Sequence, residues 1–267
     1  MKPTVTLTEL ESISFQQQAG TEASAFISFL AGIFQYNSEK YDKAITRFDD
    51  ALATPNEGKL LQNQSIIFFY RAISYASLKQ FEQAIQDYSN VIEIDPYLIP
   101  AINNRGLAFS ALGQHEQAIK DYDKILASNS SSILNLDIAF VYNNRGVEYF
   151  LLSQFSRAIQ DYDKTIEINP DFWASYYNRG IANESLMQYD NAVHDFEKVI
   201  ELDPTNTFAY MNRAGAYMML EKHELAIQDA DNAVKLAPNN SLVYSFRGSL
   251  YATLKQDDQA ITDYNKA

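Results

Sequence analysis

The 267-residue chain has no cysteine, three histidines and one tryptophan. Without cysteine there is no disulfide framework, no thiolate-ligated zinc and no thiol nucleophile. Basic residues are also scarce: 21 Lys and Arg stand against 34 Asp and Glu, a formal net charge of −13. Attraction to phosphate backbones or anionic lipid needs surplus Lys and Arg, so no nucleic-acid partner is expected. No apolar run reaches the length of about 18 residues that spans a bilayer, so no direct membrane insertion is predicted. The opening MKPTVTLTELES has no apolar stretch and does not resemble a secretory signal. Lack of cysteine favours the cytoplasm and also fits a bacterial envelope.

Catalytic constellations are missing too. There is no G-x-S-x-G and no phosphate-binding glycine loop, because most glycines recur at one fixed spacing. His115, His194 and His223 stand far apart with no metal-ligand spacing among them. The sequence therefore predicts no catalytic residues, no metal and no cofactor. The chain is 46% hydrophobic, enough apolar material to bury a core.

What is present is a repeat. A phrase of the form A-I-x-D-Y begins at Ala44, Ala84, Ala118, Ala158, Ala192, Ala226 and Ala260, with spacings of 40, 34, 40, 34, 34 and 34. Twelve residues before each anchor stands a small residue: Gly32, Ala72, Gly106, Gly146, Gly180, Ala214 and Gly248. Four after it stands Phe48, Tyr88, Tyr122, Tyr162, Phe196, Ala230 or Tyr264. Proline recurs twelve after it at Pro96, Pro170, Pro204 and Pro238. Each unit reads as two helices, the second starting near Phe155 in the fourth copy, with proline ending the pair because it lacks an N–H. The small residue lets the two helices approach closely. One hairpin cannot bury its apolar face alone, so the units must stack. The six-residue insertions precede Ile66 and Phe140. They extend the following helix backwards or form longer loops.

Arginine precedes the small residue in six copies (Arg71, Arg105, Arg145, Arg179, Arg213, Arg247), and aspartate follows the anchor by three in the same six. The first copy loses both together. That joint loss predicts an ion pair between the two helices of a repeat rather than an anion-binding arginine row.

These spacings resemble the tetratricopeptide repeat family, whose period is about 34 residues. The resemblance covers residues 25–267 as seven tandem repeats in one solenoid domain. Residues 1–24 form an N-terminal segment, read as a short covering helix capped by Thr6 and Glu9 or as a disordered tail. The resemblance implies an all-α, right-handed superhelix of antiparallel helix pairs whose first helices line a concave groove. It further implies a non-catalytic scaffold for protein–protein interaction. Its groove positions lie 18, 15, 14, 11, 8 and 7 residues before each anchor. They carry Asn104, Asn144, Asn178 and Asn212 in one row, with Asn103 and Asn143 beside them. An amide can bond both the N–H and the C=O of an extended backbone without reading its side chains. Phe69, Tyr70, Tyr177, Met211 and Phe246 add apolar groove surface, and Glu184 is the only charged residue in the six rows. Chaperone-tail binders of this family use a basic clamp, but the matching positions here are Phe29, Pro100 and Asn104. Heat-shock chaperone tails are therefore not the expected ligand.

The expected partner is a protein or peptide. The region would be the recognition part of a larger protein, since no polar closing helix follows Tyr264. Two other roles fit: a rigid spacer that self-associates through the uncapped C-terminal end, or a sensor domain for an effector elsewhere in the parent chain.

Overall fold

A computed structural model describes residues 21–53, 61–128 and 135–267. The capping box at Thr6 and its covering helix lie outside the described residues. Those residues form fourteen α-helices and no strand. In chain order these are α1 Thr21–Asn37, α2 Tyr41–Leu52, α3 Leu61–Ser77, α4 Phe81–Ile94, α5 Ile99–Ala111, α6 His115–Ala127 and α7 Asn135–Leu151. They continue with α8 Phe155–Ile168, α9 Trp173–Ser185, α10 Tyr189–Leu202, α11 Thr207–Met219, α12 His223–Leu236, α13 Ser241–Thr253 and α14 Asp257–Tyr264. They pair as antiparallel hairpins, a solenoid-type all-α fold, and divide into two compact units, Met1–Ile125 and Leu126–Ala267. No helix among the described residues is long and apolar enough to cross a membrane.

The insertions lengthen helices. α3 and α7 have 17 residues, against 13 in α5, α9, α11 and α13. Both start one turn earlier in the repeat frame, as the backward-extension reading expects. Proline ends the second helices: α4, α8, α10 and α12 stop two residues short of Pro96, Pro170, Pro204 and Pro238. The intervening residue is driven out of the helical region, with φ near −130 at Asp95, Asn169, Asp203 and Ala237.

Within each hairpin the turn is a single left-handed residue. Ser153 has φ 58°; its N–H donates to Phe150 O at 2.8 Å, and Gln154 N–H donates to Tyr149 O at 2.8 Å. Those two bonds make a Schellman cap. Glu39, Lys79, Met187, Glu221 and Lys255 adopt the same conformation, and only Gly113 supplies the residue type that favours it.

The small residue meets the aromatic ring as the spacing predicts. A Cβ on Gly146 would stand 2.7 Å from Tyr162 Cε1, closer than atoms can approach, and Gly180 faces Phe196 in the same way. Tyr162 and Phe196 are buried. In the sixth repeat, Ala214 and Ala230 share one buried cluster instead. In the first unit Phe29, Phe48 and Tyr70 pack ring against ring at 6.2–6.4 Å.

The Arg–Asp pairs form in all six copies. Arg145 Nε and Nη2 grip Asp161 at 2.8 and 2.7 Å, and Arg213 grips Asp229 at 2.7 and 2.8 Å. In four copies the remaining Nη1 group reaches a third helix. Arg71 bonds Asp49, Arg179 bonds Asp163, Arg247 bonds Asp231 and Arg105 bonds Ser89, each on the preceding repeat. Burial opposes charge on Arg71, but the bonds to Asp87 and Asp49 outweigh it and hold the guanidinium above its usual range. First-helix rings stack on these cations, as Tyr142 and Tyr149 do on Arg145 at 5.6 and 5.7 Å. One arginine thus ties both helices of its own repeat to the repeat before it.

Candidate functional site

Which face is open follows from the helix contacts. Within each unit, first helices touch the first helices of the neighbouring repeat: α1–α3 and α3–α5 in one unit, α7–α9, α9–α11 and α11–α13 in the other. Second helices contact the first helices on either side of them, α2 with α1 and α3, and α8 with α7 and α9. First helices therefore form the tighter inner layer, and their outward-facing side chains line its surface.

In the first unit, that surface holds an open hollow of about 290 Å³ lined by Ile73, Ala76, Ser77, Phe81, Tyr88, Asn104, Leu107 and Ala108. Asn104 is hydrogen-bonded to the Tyr88 hydroxyl, whose acidity burial weakens most. Asn103 lies beside Asn104, half-buried. Phe69 is half-buried and meets Tyr70 and Tyr88 edge to face at 6.0 and 6.1 Å. Tyr70 itself is buried in the core.

In the second unit, the amides are linked from one repeat to the next. Asn143 is buried, and its Oδ1 accepts from Ser175 Oγ at 3.0 Å and from Asn178 Nδ2 at 3.3 Å. Asn212 Nδ2 donates to the Tyr177 hydroxyl at 2.8 Å. Asn144 is half-buried on the same row. Met211 is buried with Ala233 and Val243, while Phe246 packs half-buried between that cluster and the next. Each bond fixes an amide that would otherwise rotate freely. Ser175 was not among the sequence-derived groove residues; its partnership with Asn143 spans 32 residues and leaves no local signal.

Glu184 sits on α9 in the same layer, half-buried. Burial alone pushes its carboxyl up to about 7. Its Oε1 faces Gly215 on α11, 4.0 Å from where a Cβ would stand. The other repeats carry Ile33, Ile73, Leu107, Val147, Ile181 and Ser249 at the Gly215 position. The histidines converge on nothing: His194 is exposed, and His223 lies at the start of α12. No group of three His, Asp or Glu that could hold a metal occurs among the described residues.

Comparison with known proteins agrees with this geometry. Family models of the tetratricopeptide repeat match residues 65–98, 99–131, 139–172, 173–206, 209–240 and 242–267. The chain belongs to the tetratricopeptide repeat family, with six helix pairs matched and a seventh, α1–α2, preceding them. Members of this family are generally non-catalytic protein-interaction scaffolds, and its fold implies protein or peptide partners. No curated protein sequence matches the chain.

Solved structures share the fold. A tetratricopeptide repeat protein from Parabacteroides merdae is 20% identical, with a TM-score of 0.70 over 91% of this chain and 92% of that one. The C-terminal part of a repeat protein from Cytophaga hutchinsonii is 19% identical, with a TM-score of 0.71 over 89% of this chain and 93% of that one. YrrB, described as having an unusual peptide-binding site, is 20% identical, with a TM-score of 0.58 over 69% of this chain and 93% of its own.

Proposed function

We propose that the chain is an interaction scaffold that holds an extended polypeptide against the first-helix face of its repeats. The observation that carries this reading is the hollow in the first unit. Ile73, Ala76, Ser77, Asn104 and Leu107 all occupy first-helix positions open to solvent, and they leave an apolar space with one amide at its rim. Such a space suits an apolar side chain, and the amide suits the backbone that carries it. YrrB, of similar fold, is described as a peptide binder. The reading asks only that each unit bind through its own inner layer. The partner is a protein, and nucleic acid is disfavoured by the net charge of −13.

The test is selection of peptides from a random display library on the folded chain. Changing Asn144 and Asn178 together to Ala is expected to weaken the selected peptides by about 1–3 kcal/mol, because backbone groups of the ligand lose their partners. Melting of the double variant is read alongside, since Asn178 also bonds Asn143. Affinity unchanged in a folded double variant would remove Asn144 and Asn178 from the binding site.

A further inference from the structure

The six groove rows of the first helices hold a single charged side chain, Glu184, and that carboxylate is left in a position that costs stability. Glu184 is half-buried, and among the described residues no Lys, Arg or His pairs with it. A carboxylate moved out of water normally acquires a cation or hydrogen-bond donors. Neighbouring acids in this fold show the contrast: Asp195 takes two nitrogens of Arg179 and the Asn183 amide.

Two neighbours shape the surroundings of Glu184. Gly215 removes the side chain that would cover it from α11, where five of the other six repeats place a branched aliphatic. Tyr177 stands two turns earlier on α9, and its hydroxyl is pushed up by burial first and by the Glu184 charge as well. The Tyr177 hydroxyl accepts its bond from Asn212, which leaves its own proton to donate. Tyr177, Ile181, Met218 and Phe246 pack half-buried on one cluster and offer an apolar bed for a methylene stem.

We infer that Glu184 is a specificity-determining site that receives a Lys or Arg side chain of the bound polypeptide, through the opening left by Gly215 and beside Tyr177. This rests on the peptide-binding reading. The ligand cation takes the place of the missing ion-pair partner, its stem lies on the Tyr177 and Met218 surface, and the amide row holds the backbone. A net charge of −13 draws such a basic segment toward the chain.

The experiment uses the full chain and capped, fluorescent random peptides, in sub-libraries that each fix Lys, Arg, Gln or Glu at one position. Sub-libraries with fixed Lys or Arg are expected to bind about tenfold tighter than those with Gln, the range of a charge-assisted bond. Glu184→Gln is expected to abolish that preference while keeping binding of the Gln sub-library. Gly215→Ile, which restores the side chain of Ile33, Ile73 and Ile181, is expected to abolish it as well. Glu224→Gln, on an exposed second-helix site, removes the same charge and is expected to retain it.

The preference should also grow from about pH 6 to about pH 8 in the unmodified chain, as the carboxyl ionises. No charged group on the helices packed against α9 shifts Glu184, α11 presents Met211, Asn212, Gly215 and Met218, and burial keeps Tyr177 protonated in this range. Peptides that bind with no basic preference, or a preference that survives Glu184→Gln, would overturn this inference and leave the scaffold reading standing. Failure of every sub-library to bind would overturn both.

Discussion

Asp195→Ala is expected to destabilise the chain by about 3–5 kcal/mol, because removing one partner of a buried ion pair strands the other. The Asp195 side chain is 2% exposed and that of Arg179 is 20% exposed. The substitution also strands the Asn183 amide, which donates to Asp195 at 2.9 Å. Asp163→Ala is the contrast. It takes the partner of the same arginine on the preceding repeat, but that carboxylate is 51% exposed, so the loss should stay within about 1 kcal/mol. Changing Arg179 to Met and Asp195 to Leu together should recover most of the loss, since a packed apolar pair has no charge to desolvate. Urea unfolding, with hydrogen exchange at α9 and α10 as the local readout, checks all three. A cost below about 1 kcal/mol for Asp195→Ala would show that the pair orders the helices without holding them together.

Tyr162→Ala is expected to cost about 3–5 kcal/mol, the range for emptying a buried aromatic site. Gly146→Ala is expected to cost about 1–3 kcal/mol, since its new Cβ drives into the Tyr162 ring. The informative result is the pair. With the ring gone the added methyl has room, and alanine is the better helix former by about 1 kcal/mol. The double variant should then lie well above the sum of its parts, and close to Tyr162→Ala alone. The sixth repeat already lives with this combination in Ala214 and Ala230. Simple additivity in thermal unfolding would mean that the two positions do not share one contact.

Much of the fold could be read from spacing because the repeat is local and written seven times. The hairpins, the start of α8 at Phe155, the stop before each proline and the Gly146–Tyr162 contact all follow from residues within one unit. The Arg–Asp pair was legible through the first copy, which lost both members. The left-handed turn was not. A Schellman cap is closed by backbone bonds, so Lys79, Ser153 and Met187 take it without a side-chain signature, and only Gly113 marks it. The third arm of Arg71, Arg179 and Arg247 was also hidden, because Asp49, Asp163 and Asp231 are about half exposed and read as solvated charge.

The candidate site was legible only in outline. The asparagine register was visible, but not that Asn143 is spent on Ser175 and Asn178, a matter of how one repeat seats on the next. Tyr70 and Met211 share positions with groove residues and yet are buried, because a first helix packs on its own second helix and on the neighbouring first helix at once. Glu184 stood out as a lone charge. Its significance needed Gly215, which is opposite in space and 31 positions away in the chain.

The most direct test of the scaffold reading is hydrogen–deuterium exchange of the full chain with and without a library-selected peptide. The account predicts new protection on first helices, at α3 and α5 or at α9 and α11, with α8, α10 and α12 unchanged. Protection that falls on those second helices and spares the first would contradict it.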